Sequence, residues 1–153
     1  MRTDFAEDLT SKTAGQQPTS QHEHYRDIIS TMEELNLRNY AHIGDAVWEL
    51  FVREYTVSKT QNLKQLHKIT TDKVNSAFQS EMLQFISEML SDSEQDLARR
   101  ARNCPIPVGR RNNQTEYRKA TAFEALIGYW YLEDKSRLNE IFSKIKEEFF
   151  TDK

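Results

Sequence analysis

A chain of 153 residues with a formal charge of −3 and an isoelectric point near 5.8 is long enough for one domain with a real core. That balance excludes a surface coated uniformly for nucleic acid, but it leaves room for a local basic patch. The single Cys104 excludes an internal disulfide and, without other ligands, a zinc site. No early apolar run with positive flanks occurs, and nothing approaches 18 unbroken apolar residues, so a soluble cytoplasmic protein is expected.

Residues 1–25, MRTDFAEDLTSKTAGQQPTSQHEHY, hold one Phe among many polar side chains. Their apolar surface is too small to offset ordering entropy, so they read as a flexible polar tail. His22 and His24 have metal-like H-x-H spacing, but with no Cys or further His nearby they read as solvated.

Residues 26–150 read as one helical domain. The pattern predicts helices near 26–37, 40–57, 61–69, 71–90, 92–102, 115–132 and 136–150. Leu83, Ile86 and Leu90, or Leu138, Ile141 and Ile145, carry the amphipathic spacing. Thr70 or Thr71 and Ser91 are expected N-caps. Pro105, Pro107 and Gly109 gather in one loop. No period-2 run flanked by hairpin turns occurs, so the class is all-α.

Two acids stand out. Glu124 is the only charged residue in ATAFEALIGYWYL, residues 120–132, which is apolar on nearly every face. A helix of this kind is buried, and a buried carboxylate needs a cation or a metal opposite it. Asp45 lies in a second, similar segment, NYAHIGDAVWELFVREY. Gly44 adjoins Asp45 and Gly128 lies one turn beyond Glu124, each weakening its helix by roughly 1 kcal/mol relative to Ala. Close approach of another backbone is the common reason for such glycines. The two helices are therefore expected to cross here and bring the acids together at a shared metal site. His42, Asp45, Glu49 and Arg53 form one polar stripe, which reads either as a solvated face with Glu49 pairing Arg53 or as the edge of a cleft.

The segment 98–119, ARRARNCPIPVGRRNNQTEYRK, holds Arg99, Arg100, Arg102, Arg110, Arg111, Arg118 and Lys119 against Glu116 alone. It brackets the Pro/Gly loop and leads into the Glu124 helix. A forked arginine cluster there suits phosphate and would bind it in a salt-sensitive manner. Lys64, Lys68 and Lys73 are candidates to extend it. Trp48, Trp130 and Tyr131 are more aromatic surface than a small core plainly needs, so they are divided between core and a possible subunit interface.

HIGDAVWELFVRE and YRKATAFEALIGYWYL resemble the two acid-bearing segments of the ribonuclease III catalytic domain. The ordered pair is most similar to Mini-ribonuclease III, the short bacterial form without a separate double-stranded RNA-binding domain, and the likeness spans about residues 30–150. The resemblance implies an all-α endoribonuclease fold in which Asp45 and Glu124 are the catalytic carboxylates and hold Mg²⁺. Fuller ribonuclease III enzymes carry two more acids, one turn before each of these, where this chain has Ala41 and Thr121. Mg²⁺ takes oxygen ligands and keeps several waters, so two carboxylates and a substrate phosphate are a reasonable set. The resemblance further implies a homodimer that cleaves double-stranded RNA, read mainly by duplex shape. Its implied task is maturation of the large-subunit (23S) ribosomal RNA precursor, with a ribosomal protein or the assembling large subunit as a further partner. The rival reading is a non-catalytic relative that binds RNA or ribosomes, and the retention of both acids argues against it. A helical metal bundle would need a Glu-x-x-His motif, which is missing.

Overall fold

The computed structural model describes residues 36–106 and 113–152. The expected tail at 1–25, with His22 and His24, and most of the expected helix at 26–37 lie outside the described residues, as do Arg110 and Arg111. Among the described residues there are α-helices and no strands. They are α1 (Leu37–Thr56), α2 (Leu63–Val74), α3 (Ser76–Ile86), a 3₁₀ turn (Ser87–Met89), α4 (Asp92–Arg102), α5 (Gln114–Glu133) and α6 (Lys135–Phe149).

The expected all-α class holds, and most boundaries fall within a few residues of expectation. The exception lies between α2 and α3. Thr70 and Thr71 do not begin a helix: the Thr70 hydroxyl is buried against the Thr56 hydroxyl at 2.9 Å, and the Thr71 hydroxyl donates to the His67 carbonyl at 2.6 Å. Both hydroxyls are spent inside or between helices, so the break moves to Asn75. Its backbone is extended and its side chain accepts from Phe78 N at 2.9 Å. Ser91 caps α4 as expected, in a capping box with Glu94.

α5 is the central helix and packs against α1, α3, α4 and α6. Ala122, Phe123, Ala125, Leu126, Ile127 and Trp130 are all buried, which is why its sequence is apolar all round. Trp48 on α1 is fully buried, stacks on Phe51 and Phe78, meets Phe123 edge-on, and donates its indole N–H to the Lys73 carbonyl at 2.9 Å. Trp48 and Trp130 are therefore core residues. Tyr131 is half-buried beside Lys135.

Gly44 and Gly128 mark the crossing of α1 and α5. A Cβ on Gly44 would collide with the backbone carbonyl of Glu124 and come within 2.9 Å of Gly128 N. A Cβ on Gly128 would collide with the carbonyl of Tyr40. Each helix carries its glycine where the other's main chain passes, as the spacing predicts.

Candidate active site

The crossing opens on one side into a cleft of about 310 Å³. It is lined by Ala41, Asp45, Thr121 and Glu124 together with Arg38, His42, Arg102 and Arg118. The two acids come from the two helices that the glycines bring together. Glu124 is half-buried, whereas Asp45 is exposed. The segment around Asp45, read as similar to the apolar one around Glu124, is only partly buried: its fully buried residues are Ala41, Gly44, Trp48, Val52 and Thr56.

The expected cation opposite Glu124 is absent among the described residues. Burial pushes the Glu124 carboxyl up to about 8, the charge of Asp45 adds to the rise, and the Gln79 amide pulls the other way. Burial also raises Asp45, as does the charge of Glu49, while His42 lowers it. Glu49 itself is held by Arg53 at 2.6 Å. The outer half of the polar stripe is therefore an ordinary ion pair and the inner half, His42 and Asp45, faces the cleft.

A second acid shows what full compensation looks like. Glu94 is buried near the start of α4. It accepts from Trp130 Nε1 at 2.6 Å, from Arg137 at 3.0 and 3.1 Å, and from Ser91 N at 2.8 Å. Arg137 also donates to the Met89 carbonyl. Burial alone would raise Glu94, but the bonds from Arg137, Ser91 and Trp130 hold it below the usual carboxylate range. Glu94 is a satisfied structural acid, and its cation is built into the fold. Glu124 has none.

Neither acid of the cleft can be explained by the fold's own needs. Two oxygen donors at one cleft, one of them raised by burial and by the charge of the other, with no basic side chain against them among the described residues, suit a hard divalent ion. No cluster of three or more His, Cys, Asp or Glu side chains is assembled among the described residues. An ion held by this pair would fill its remaining positions with water and phosphate oxygens. Thr121 carries no carboxylate, and its hydroxyl donates to the Tyr117 carbonyl at 2.9 Å.

The basic segment proves to be divided in its work. Arg99 and Arg100 both pair with Asp96, at 2.6 and 3.0 Å. Arg118 donates to the Arg102 and Cys104 carbonyls at 2.7 and 3.3 Å, tying the start of α5 to the end of α4. Arg102 meets no carboxylate among the described residues, and it lines both the acid cleft and an adjoining groove with Arg99, Asn103, Thr115, Arg118 and Lys119. Lys68 pairs with Asp72, and Lys73 sits over the Phe78 and Phe150 rings. With Lys64, they do not line the acid cleft.

Two residues escaped the sequence reading. Arg38 donates to the Pro105 carbonyl at 2.7 Å and so fastens the loop edge of the cleft to α1. Gln79 on α3 is only 2 % exposed, and its Nε2 has no hydrogen-bond partner within range, although the amide lies near enough to Glu124 to favour the ionised carboxyl. A buried donor without an acceptor costs about 1–3 kcal/mol. A signal was present: Gln79 stands at i with Met82, Leu83 and Ile86 at i+3, i+4 and i+7, a polar residue on a buried apolar face.

Comparison with known proteins agrees with this architecture. The family model for the ribonuclease III domain matches residues 38–135. The Mini-ribonuclease 3 of Gloeobacter violaceus is 41% identical over 110 residues, which is 72% of this chain and 82% of that protein. The Mini-ribonuclease 3 of Clostridium tetani is 37% identical over 114 residues, 72% of this chain and 76% of that one. The crystal structure of a protein from Fusobacterium nucleatum superposes with a TM-score of 0.66 at 31% identity, covering 75% of this chain and 94% of that one. With the helical fold, the paired acids and these relatives in agreement, the chain belongs to the ribonuclease III family, in its Mini-ribonuclease 3 branch, and is an endoribonuclease.

Proposed function

We propose that this endoribonuclease cleaves double-stranded RNA in a Mg²⁺-dependent reaction at Asp45 and Glu124, as a homodimer, and that it matures the large-subunit ribosomal RNA precursor. The observation that carries the reading is the contrast between two acids. Glu94 has its arginine and its hydrogen bonds, whereas Glu124 faces Asp45 across an open cleft with no cation of its own. A carboxylate pair kept at that cost in stability has use for a cation from solution.

Asp45 and Glu124 would hold the ion. When bound, Mg²⁺ would supply charge neutralisation for the scissile phosphate and lower the pKa of the attacking water. The chain's own part is orientation. The helix crossing fixes the two carboxylates relative to each other, since neither backbone can shift without separating α1 from α5. Arg102 beside them offers a fork for the phosphate next to the scissile one. Arg38 and Arg118 hold the cleft's edge through the Pro105, Arg102 and Cys104 carbonyls. Arg99, Arg100, Arg110 and Arg111 would extend the contact along the RNA backbone. Duplex recognition follows from A-form geometry, in which backbone and 2′-hydroxyls face the protein across a wide minor groove. An assembling large subunit or one of its proteins would present the precursor in its folded, cleavable form.

The test is incubation of the purified chain with a perfect RNA duplex and with a precursor fragment of large-subunit ribosomal RNA, each with Mg²⁺ and with EDTA. Cleavage of both that requires the metal and is lost in Asp45→Asn is expected. Cleavage in EDTA, or none in Mg²⁺, would overturn the metal reading. Indifference to the precursor would overturn the ribosomal one.

A further inference from the structure

Gln79 is buried on the inward face of α3, which packs against the central helix, with its amide beside the Glu124 carboxyl. Asn75 sets its direction, because capping there starts α3 in the phase that turns residue 79 inward with Met82, Leu83 and Ile86. Its Nε2 is enclosed by protein and has no acceptor. An apolar side chain of the same length would fill this space without leaving a donor unsatisfied. Packing alone therefore does not account for glutamine here.

We infer that Gln79 is a positioning residue for the reaction: its amide N–H engages the ionised Glu124 carboxylate and fixes which oxygen Glu124 presents to the cleft. The inference rests on the Asp45–Glu124 reading above and names a third chain element, α3, that shapes the site. The chemistry of the donor matters. An arginine would hold the carboxylate equally firmly but would cancel its charge, as Arg137 does for Glu94. A neutral amide orients one oxygen and leaves the negative charge for a divalent cation. Thr121, a polar residue lining the cleft, is committed to the Tyr117 carbonyl. Nε2 is without a partner in the metal-free chain, and its bond to Glu124 would form in the loaded site.

The test uses Gln79→Met and Gln79→Leu in the full chain, beside wild type and Glu124→Gln. Four readouts are taken: Tm, single-turnover cleavage of an RNA duplex, KM for that duplex, and binding of Mn²⁺ to the RNA-free protein by the loss of its free-ion electron paramagnetic resonance signal. Both variants should melt at or above the wild-type temperature, since the unsatisfied donor is gone. Their cleavage rate should fall at least ~10-fold with KM within about twofold, and Mn²⁺ should bind at least ~3-fold more weakly. Wild-type cleavage, or unchanged Mn²⁺ binding, in variants that fold normally overturns the inference. A rate loss accompanied by a lower Tm in both variants also overturns it, since that is the signature of packing. The two controls separate the failures. If wild type does not cleave, or Glu124→Gln does, the metal-site reading falls. If both controls behave and the Gln79 variants match wild type, only the role of Gln79 falls.

Discussion

The main chain of Gly44 lies directly against the carbonyl oxygen of Glu124, leaving no room for a Cβ. The helix crossing that builds the core is thus the same contact that sets the two acids side by side. If the acids carry the reaction as proposed, stability and activity share this point, so a single methyl group tests both. Ala is the better helix former by roughly 1 kcal/mol, but in Gly44→Ala its Cβ would meet backbone, which cannot rotate away. Overpacking of this kind costs about 1–3 kcal/mol and more where main chain must move. Gly44→Ala is expected to lose about 3 kcal/mol in urea denaturation, and to cleave poorly even where it remains folded. A variant as stable as wild type would mean the helices can part freely.

The acids give a prediction in pH. Burial, then the charge of Asp45, lifts Glu124 from 4.5 to about 8 in the folded chain. Between those values the unfolded chain has released a proton that the folded chain still holds. Stability of the metal-free protein therefore falls as pH rises from 4.5 toward about 8 and then levels, by a few kcal/mol at most. Asp45, also raised, acts in the same direction. In EDTA, Glu124→Gln should remove most of this decline, and Mg²⁺ should remove it from wild type. Equal slopes in the mutant and wild type would place the titration elsewhere. The same substitution, like Asp45→Asn, should cost at least ~10²-fold in cleavage, about 2.7 kcal/mol of barrier.

Much of this was legible in the chain itself. The two out-of-place glycines predicted the crossing because a helix gives up propensity only for close packing, and the structure bears that out at both positions. The buried stretch around Glu124 was equally plain. No basic side chain meets Glu124 among the described residues, and sequence shows that an acid is buried but not which of several basic residues reaches it. Arg137 goes to Glu94, an acid that reads as an ordinary first-turn carboxylate of α4. Charge counting also overstated the basic segment, since Asp96, just outside its boundary, takes two of its arginines. Thr70 was misread as a cap for the same reason: its hydroxyl finds a partner fourteen residues away, on α1.

That division of the arginines predicts unequal losses. Arg102 is without a carboxylate partner among the described residues and lines the cleft, whereas Arg99 is already paired with Asp96. With the Glu124→Gln protein, which should bind without cutting, Arg102→Ala is expected to lower the slope of log affinity against log salt by ~0.9, one phosphate contact at B-DNA charge density. Arg99→Ala should lower it by less. The Arg110→Ala, Arg111→Ala double variant should lower it by ~1.8 if both touch phosphate. Unchanged slopes in all three would move the RNA to another face of the protein.

The last prediction concerns the number of chains. One chain brings one Asp45–Glu124 pair to one cleft, and on the proposed reading one such pair would cut one strand at each encounter. The strands of a duplex are related by two-fold axes, so a C2 pair of chains would present one cleft to each strand at a fixed separation. Trp48 and Trp130 are consumed in the core and are not available to build the contact. The chain is expected to sediment as a dimer without RNA, and its products should carry 3′ overhangs of one constant length. Mixing wild type with an excess of Glu124→Gln should then convert paired cuts into nicks, because most wild-type chains would be partnered with an inactive site. A monomer whose wild-type product is already a nicked duplex would keep the chemistry at Asp45 and Glu124 and overturn the dimer.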